Sequence, residues 1–124
     1  MRIKPRPMKK YTPRRRRSSK ILQKQQLKDF EHLLEMDLNT FLILNDEGSL
    51  KQIEQSRTKM RSDLRKYGSD MEAIGRDLGE GFPERIREYL KSMNQIVQNS
   101  TAKIDPALIN QHEKKALLLK KSAA

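Results

Sequence analysis

The chain contains no cysteine and no tryptophan, and aromatic residues make up only 5% of it. The absence of cysteine excludes disulfides and thiolate chemistry. Hydrophobic residues amount to 35%, below the ~45–50% that is usual for globular chains. A core this small and poor in aromatics implies modest stability for a single chain. We therefore expect the helices to complete their burial against a second copy or a protein partner.

Long apolar runs are also missing. No run approaches the ~20 residues that are needed to cross a bilayer, and the charged N-terminus lacks the apolar segment of a secretory signal. Prolines at positions 5, 7 and 13 interrupt the amphipathic helix that a mitochondrial transit peptide requires. We expect an intracellular protein (cytoplasmic, nuclear or inside a virion) that is not secreted.

Acidic residues are absent from the first 28 positions. These positions hold twelve Lys or Arg, whereas residues 29–124 hold fifteen basic and sixteen acidic side chains, a net charge of −1. The whole excess of +11 therefore comes from the N-terminus. Mutual repulsion and three prolines predict that residues 1–17, the basic arm, are disordered in the free protein.

Residues 18–124, the helical body, are predicted to be all-α, because β-branched residues nowhere alternate as they do in strands. Apolar residues at helical spacing predict a hairpin of helices over 18–45 and 49–67. Asp46-Glu47-Gly48 is a breaker of the kind that joins antiparallel helices. Ser49 and Gln52 have the spacing of a capping box at the start of the second helix.

Glycines divide the rest of the body. Gly68 follows the last periodic residue of the hairpin, where a left-handed C-terminal cap is usual, so the second helix is predicted to end there. Gly75, Gly79 and Gly81 predict a hinge between helical pairs, with Phe82 as a core anchor beside it. Further helices, which complete a small bundle, are predicted over 70–78, 83–99 and 105–121.

The apolar stripe of the hairpin is wider than a two-stranded seam requires. It therefore predicts contact with more than one neighbour, either a second copy in a homo-oligomer or another protein. The residues predicted to form this interface are Leu27, Phe30, Leu34, Phe41, Leu50, Ile53, Met60 and Leu64.

The basic arm predicts binding to a polyanion. Each neutralised phosphate releases condensed counterions, and the planar fork of arginine can hold two phosphate oxygens. A nuclear-import signal, an anionic-membrane contact and a solubilising tail are the alternatives. The residues predicted to contact nucleic acid, either DNA or RNA, are Arg2, Lys4, Arg6, Lys9, Lys10, Arg14, Arg15, Arg16 and Arg17, with Tyr11 stacking on a base and Lys20 and Lys24 as ordered support.

The sequence offers no catalytic, metal or cofactor motif. His32 and His112 lie far apart and lack the spacing of paired metal ligands, so both are predicted to be structural. The spacing of Gly75, Gly79 and Gly81 matches neither a P-loop nor a dinucleotide fingerprint. We therefore expect a non-enzymatic protein with no cofactor, no metal and no small-molecule substrate.

The sequence is consistent with two functions. The first is a nucleic-acid-binding helical protein in which the basic arm contacts phosphates largely without regard to sequence. Its body oligomerises or docks in a larger assembly of the architectural, virion or phage, or ribonucleoprotein type. The second is a helical adaptor or regulator, in which the hairpin binds a partner protein and the arm is a localisation or acidic-docking signal.

Overall fold

A computed structural model of the chain describes residues 5–98 and 103–124, with side chains from residue 20 onward. Within these residues the predicted all-α class is confirmed, since the chain forms a bundle of four helices with no strand: α1 (Pro5–Glu47), α2 (Leu50–Leu78), α3 (Phe82–Gln98) and α4 (Pro106–Ala123). α1 begins before the predicted start at residue 18. Side chains up to residue 19 lie outside the described part, so disorder of the basic arm in the free protein stays a prediction.

The helices follow one another in an up-down-up-down arrangement. α1 packs on α2, α2 on α3 and α3 on α4, while α4 closes less tightly on α1. Two side-chain contacts show that α1 and α2 are antiparallel. Gln23 Nε2 lies 3.1 Å from Asp77 Oδ2 near one end, and Lys59 Nζ lies 3.2 Å from Asp37 Oδ1 further along.

The turn between α1 and α2 confirms the predicted hairpin. α1 ends at Glu47, directly before Gly48, whose N–H donates to Leu44 O at 2.7 Å. Ser49 caps α2: its Oγ accepts from Gln52 N at 3.2 Å, and its own N–H donates to Gln52 Oε1 at 2.9 Å. This reciprocal pair is the predicted capping box, which satisfies two backbone groups that a helix start would otherwise leave unpaired.

The predicted end of the second helix at Gly68 is wrong, because α2 continues to Leu78 and includes the residues predicted as a separate helix over 70–78. Gly68 is buried against α3, and a Cβ at this position would lie 3.3 Å from Leu90 Cδ1. Gly75 is also inside α2 and not in a hinge; a Cβ there would lie 2.6 Å from Ile86 Cδ1. Both glycines allow α2 and α3 to approach closely.

The turn between α2 and α3 does occur at Gly79 and Gly81, as predicted. Gly79, Glu80 and Gly81 all have positive φ angles, of 65°, 52° and 81°. This region is open to glycine but unfavourable for most other residues. Phe82 follows directly and is 2% exposed, so the predicted core anchor is confirmed.

One continuous core is formed by side chains from all four helices. Burial of a large apolar side chain contributes about 1.5–3 kcal/mol relative to its exposure. The apolar residues that are largest and most completely buried are Leu27, Leu34 and Phe41 of α1, Met60 and Met71 of α2, Ile86, Tyr89, Met93, Ile96 and Val97 of α3, and Leu119 of α4.

Gly68→Ala and Gly79→Ala are expected to change stability in opposite directions. Alanine gains about 0.5–1 kcal/mol over a helical glycine, and at position 68 the flexible Leu90 side chain needs to move by only a few tenths of an ångström. At position 79 alanine would keep a left-handed φ, at a cost of about 1–2 kcal/mol. Urea unfolding measures both effects. An equal loss of stability in both variants would instead indicate that α2 ends at Gly68.

Candidate functional site

Most residues of the predicted nucleic-acid contact lie outside the described side chains. Lys20 and Lys24 are described on α1, where Lys20 is exposed and Lys24 is half-buried. Neither forms an ion pair with a described carboxylate, so both charges are open to an external anion. The predicted contacts outside the described side chains are Arg2, Lys4, Arg6, Lys9, Lys10, Tyr11, Arg14, Arg15, Arg16 and Arg17.

The eight residues predicted to contact a partner mostly face the core of the same chain. Of these residues only Leu50 is largely exposed, at 82%. In this structure the chain's own helices cover most of the apolar stripe, and its contact with a partner stays a prediction. Those covered completely are Leu27, Leu34, Phe41 and Met60, and those covered in part are Phe30, Ile53 and Leu64.

A second apolar face of α1, which the sequence reasoning missed, is exposed to solvent. Leu22, Leu33, Met36 and Ile43, here called the outer stripe, are between 42% and 59% exposed. Leu22, Met36 and Ile43 share a seven-residue spacing, which keeps side chains in line along a helix that pairs with another helix. The signal was present in the sequence, but Asp29 interrupts the series, and residues of the apolar stripe that faces the core are interspersed with it.

A buried polar cluster joins α1, α3 and α4. Glu35 of α1 accepts two hydrogen bonds at Oε2, from the Tyr89 hydroxyl and from His112 Nε2, each at 2.6 Å. His112 Nδ1 is hydrogen-bonded to Ser92 Oγ at 2.8 Å. These four residues are here called the polar node. Tyr89 and His112 are at most 1% exposed, so the node is part of the core.

The protonation of the node suits its hydrogen bonds. Burial acts to raise the pKa of Glu35, but hydrogen bonds from His112 and Tyr89 and the charges of His112 and Lys120 outweigh it, so this pKa lies below its ordinary value. Burial, together with the charge of Glu35, raises the pKa of Tyr89. At neutral pH Glu35 is therefore an ionised acceptor and Tyr89 a protonated donor.

Ser92, His112 and Glu35 are linked in the order of a catalytic triad, but their surroundings do not support catalysis. Ser92 is buried within α3, where its hydroxyl donates to Tyr89 O at 2.8 Å. Backbone N–H groups inside a helix are already hydrogen-bonded, so they do not provide an oxyanion hole. The node instead ties three helices together, and His112 has the structural role that its spacing predicts.

Neither a cluster of metal ligands nor a membrane-spanning helix occurs among the described residues. No three His, Cys, Asp or Glu side chains in this part of the chain converge as metal ligands, and His32 is exposed on α1. None of the described helices combines the length and the apolar composition needed to cross a bilayer.

Glu35→Gln is expected to destabilise the protein at neutral pH and to weaken its response to acid. Glutamine keeps an acceptor oxygen but removes the charge, and a hydrogen bond to a charged group contributes about 1.5–3 kcal/mol, against about 0.5–1.5 kcal/mol for a neutral one. Because the pKa of Glu35 is lowered on folding, its contribution is complete above the ordinary pKa of 4.5 and is lost as the pH falls below that value. Urea unfolding of both proteins from neutral to acidic pH measures this difference.

Glu113→Gln is the matched control, because Glu113 is exposed on α4 next to His112. The free energy of unfolding of this control should match that of the parent protein at every pH. Burial raises the pKa of Glu31, with a smaller contribution from the charge of Glu35, and this gives a slope of opposite sign. The difference between parent and variant therefore reports on the charge of Glu35, including its effect on Glu31. If that difference stayed constant through acidic pH, an ionised Glu35 in the node would be ruled out.

The chain was compared with protein-family models, curated proteins and solved structures, and none of the three comparisons gives a match. The charges, contacts and burial of its own residues are therefore the basis for the function proposed below.

Proposed function

We propose that this protein is a non-enzymatic nucleic-acid-binding protein whose basic arm contacts phosphates largely without regard to sequence. Its helical body oligomerises or docks in a larger assembly of the architectural, virion or phage, or ribonucleoprotein type. The nucleic acid is DNA or RNA, since both carry the phosphate backbone that such an arm contacts.

The observation that carries this proposal is the separation of charge along the chain. Residues 1–28 hold twelve cations and no acid, whereas residues 29–124 have a net charge of −1. A solubilising tail requires net charge but no particular distribution of it. Binding to a polyanion favours concentrated cations, because every neutralised phosphate releases counterions. The run of arginines at 14–17 adds forks that can each hold two phosphate oxygens.

Ion pairs within the helical body support the distinction between the cations of the body and those of the arm. Lys59 lies 3.2 Å from Asp37 of α1 and 2.9 Å from Asp63 of α2, so its charge is neutralised within the bundle. Lys20 and Lys24 have no such carboxylate among the described residues. The free charges of Lys20 and Lys24 extend the positive charge of the basic arm along α1 to the part of this helix that packs on the bundle.

The outer stripe of α1 favours the alternative function, a protein-interaction adaptor or regulator. Leu22, Met36 and Ile43 offer an apolar line to a partner helix, and the basic arm would then be a localisation or acidic-docking signal. The same stripe would serve oligomerisation or docking in the first proposal. The two functions therefore differ in whether the arm binds nucleic acid.

Replacement of Arg14, Arg15, Arg16 and Arg17 by glutamine is expected to weaken nucleic-acid binding and its dependence on salt. Four lost phosphate contacts should reduce the slope of log affinity against log salt by about 3. Fluorescence anisotropy with labelled single strands and duplexes of DNA and RNA, between about 50 and 200 mM salt, measures this slope.

The matched control removes four exposed cations from the helical body, and should keep a slope close to that of the parent. An equal loss of slope in the two variants would show that net charge alone determines binding, and it would reject the arm as the binding element. If the parent binds neither DNA nor RNA even at about 20 mM salt, the adaptor function is favoured. The control substitutions, all to glutamine, are at Lys51, Lys66, Arg76 and Lys121.

A further inference from the structure

A groove between α2 and α3 gathers basic side chains from both helices. Arg61 and Arg65 line it from α2, and Arg87 and Lys91 line it from α3. The groove has a volume of about 710 Å³, which is within the range of ligand-binding sites. The members of each pair are four residues apart, so they share a face of their helix and are separated by about 6 Å along its axis. This surface is here called the basic groove.

Packing between the two helices fixes the backbone positions from which these cations extend. Gly68 has no side chain at the contact, and the side chain of Leu90 fills the space beside it. Leu64 and Leu90 are half-buried and line the groove between its two walls. The four cations therefore lie along both sides of an apolar floor, and the close approach at Gly68 keeps the two sides together.

The protein does not neutralise the charge of the basic groove. Residues 29–124 contain sixteen acids and fifteen bases, yet four bases and one acid, Glu72, line the groove. All four cations are exposed, and none has a carboxylate partner within the described part of the chain. Lys59 and Lys115, by contrast, are paired with acids. The groove therefore has three more cations than acids, and its four cations are unpaired.

We propose that the basic groove binds successive phosphates of a single nucleic-acid strand, a role that rests on the function proposed above. No aromatic side chain lines the groove to stack on a base, so the contact is with the backbone and is independent of sequence. Helices packed in this way have axes about 8–10 Å apart, so the two rows of cations are close enough to contact one strand from both sides.

The surroundings of the groove favour an extended polymer over a single small anion. Lys91 also lines the adjacent hollow between α3 and α4, together with Lys114, so the cationic surface continues beyond the groove. An anionic membrane would require large apolar side chains that insert beside the charges. The large apolar residues that are exposed in the described chain lie on α1 and α4 and at Leu50, not along this groove.

The groove and the basic arm would act on the same strand. When two sites are linked on one chain, the second binds at a high local concentration once the first is occupied. The arm then captures the nucleic acid, and the groove determines the path of the strand over the helical body.

Glu72→Gln provides a test in which misfolding cannot imitate the expected result. Removal of the one acid that lines the groove should tighten binding of a labelled oligothymidine strand roughly 2- to 5-fold at low salt. Glu113→Gln makes the same change at an exposed site on α4, outside the groove, and should leave the affinity unchanged. Absence of a gain in Glu72→Gln, or an equal gain in both variants, overturns the proposal.

Neutralisation of the four groove cations should have the opposite effect and weaken nucleic-acid binding. Replacement of Arg61, Arg65, Arg87 and Lys91 by glutamine should reduce the salt slope by about 3, since each phosphate contact on a single strand contributes about 0.7. The body control described above, with four cations replaced elsewhere, has the same net charge. Circular dichroism and urea unfolding establish that both variants are folded. A groove variant that keeps the slope of this control overturns the proposal.

Comparison with the variant of the four arm arginines separates the two sites. If only the arm variant loses its slope, the arm binds nucleic acid and the groove is not a phosphate site. If only the groove variant loses its slope, the groove is supported and the function proposed for the arm fails; losses in both support both sites. Groove-dependent binding of polyglutamate that is at least as tight as that of oligothymidine would overturn the proposal in favour of an acidic protein segment.

Discussion

One carboxylate oxygen joins three of the four helices. Oε2 of Glu35 accepts hydrogen bonds from both Tyr89 and His112, so a charge on α1 is held by α3 and α4 together. A partly buried charge is tolerated only where such partners are present. α4 closes on α1 less tightly than the other neighbouring helices close on each other, which makes this directional contact important for its position. Because residues 5–17 of the basic arm belong to α1, this contact also contributes to the attachment of the arm to the bundle.

Local sequence signals predicted the parts of the fold that depend on neighbouring residues. The capping box at Ser49 and the breaker at Gly48 act within one helical turn, and both are found where the sequence placed them. Gly68 was misread because a glycine after a periodic run resembles a helix cap. Its actual role is to admit the side chain of Leu90, and that depends on the register of α3, which no local pattern specifies.

For the candidate sites too, the sequence predicts a cluster of consecutive residues but not a cluster that helix packing assembles. Charge separation identifies the basic arm without any knowledge of the fold, because the cations are consecutive in the sequence. The basic groove combines residues of α2 and α3 that the sequence separates by a turn, and its cations are interspersed with acids along the chain. Likewise, Glu35 and His112 are 77 residues apart in sequence. Only the packing of the helices brings such groups together, so the spacing of residues alone could not predict either cluster.

The unpaired cations of the basic groove also affect the free protein. Like charges four residues apart on one helix repel each other, at a cost of about 0.2–0.5 kcal/mol per pair. The pairs on α2 and α3 also repel across the groove, over distances comparable to the Debye length of about 10 Å at 0.1 M salt. Added salt screens this repulsion and so reduces its cost to the unbound bundle, while it weakens attraction to a polyanion. Through the groove, a rise in ionic strength would therefore have opposite effects on the stability of this protein and on its affinity for nucleic acid.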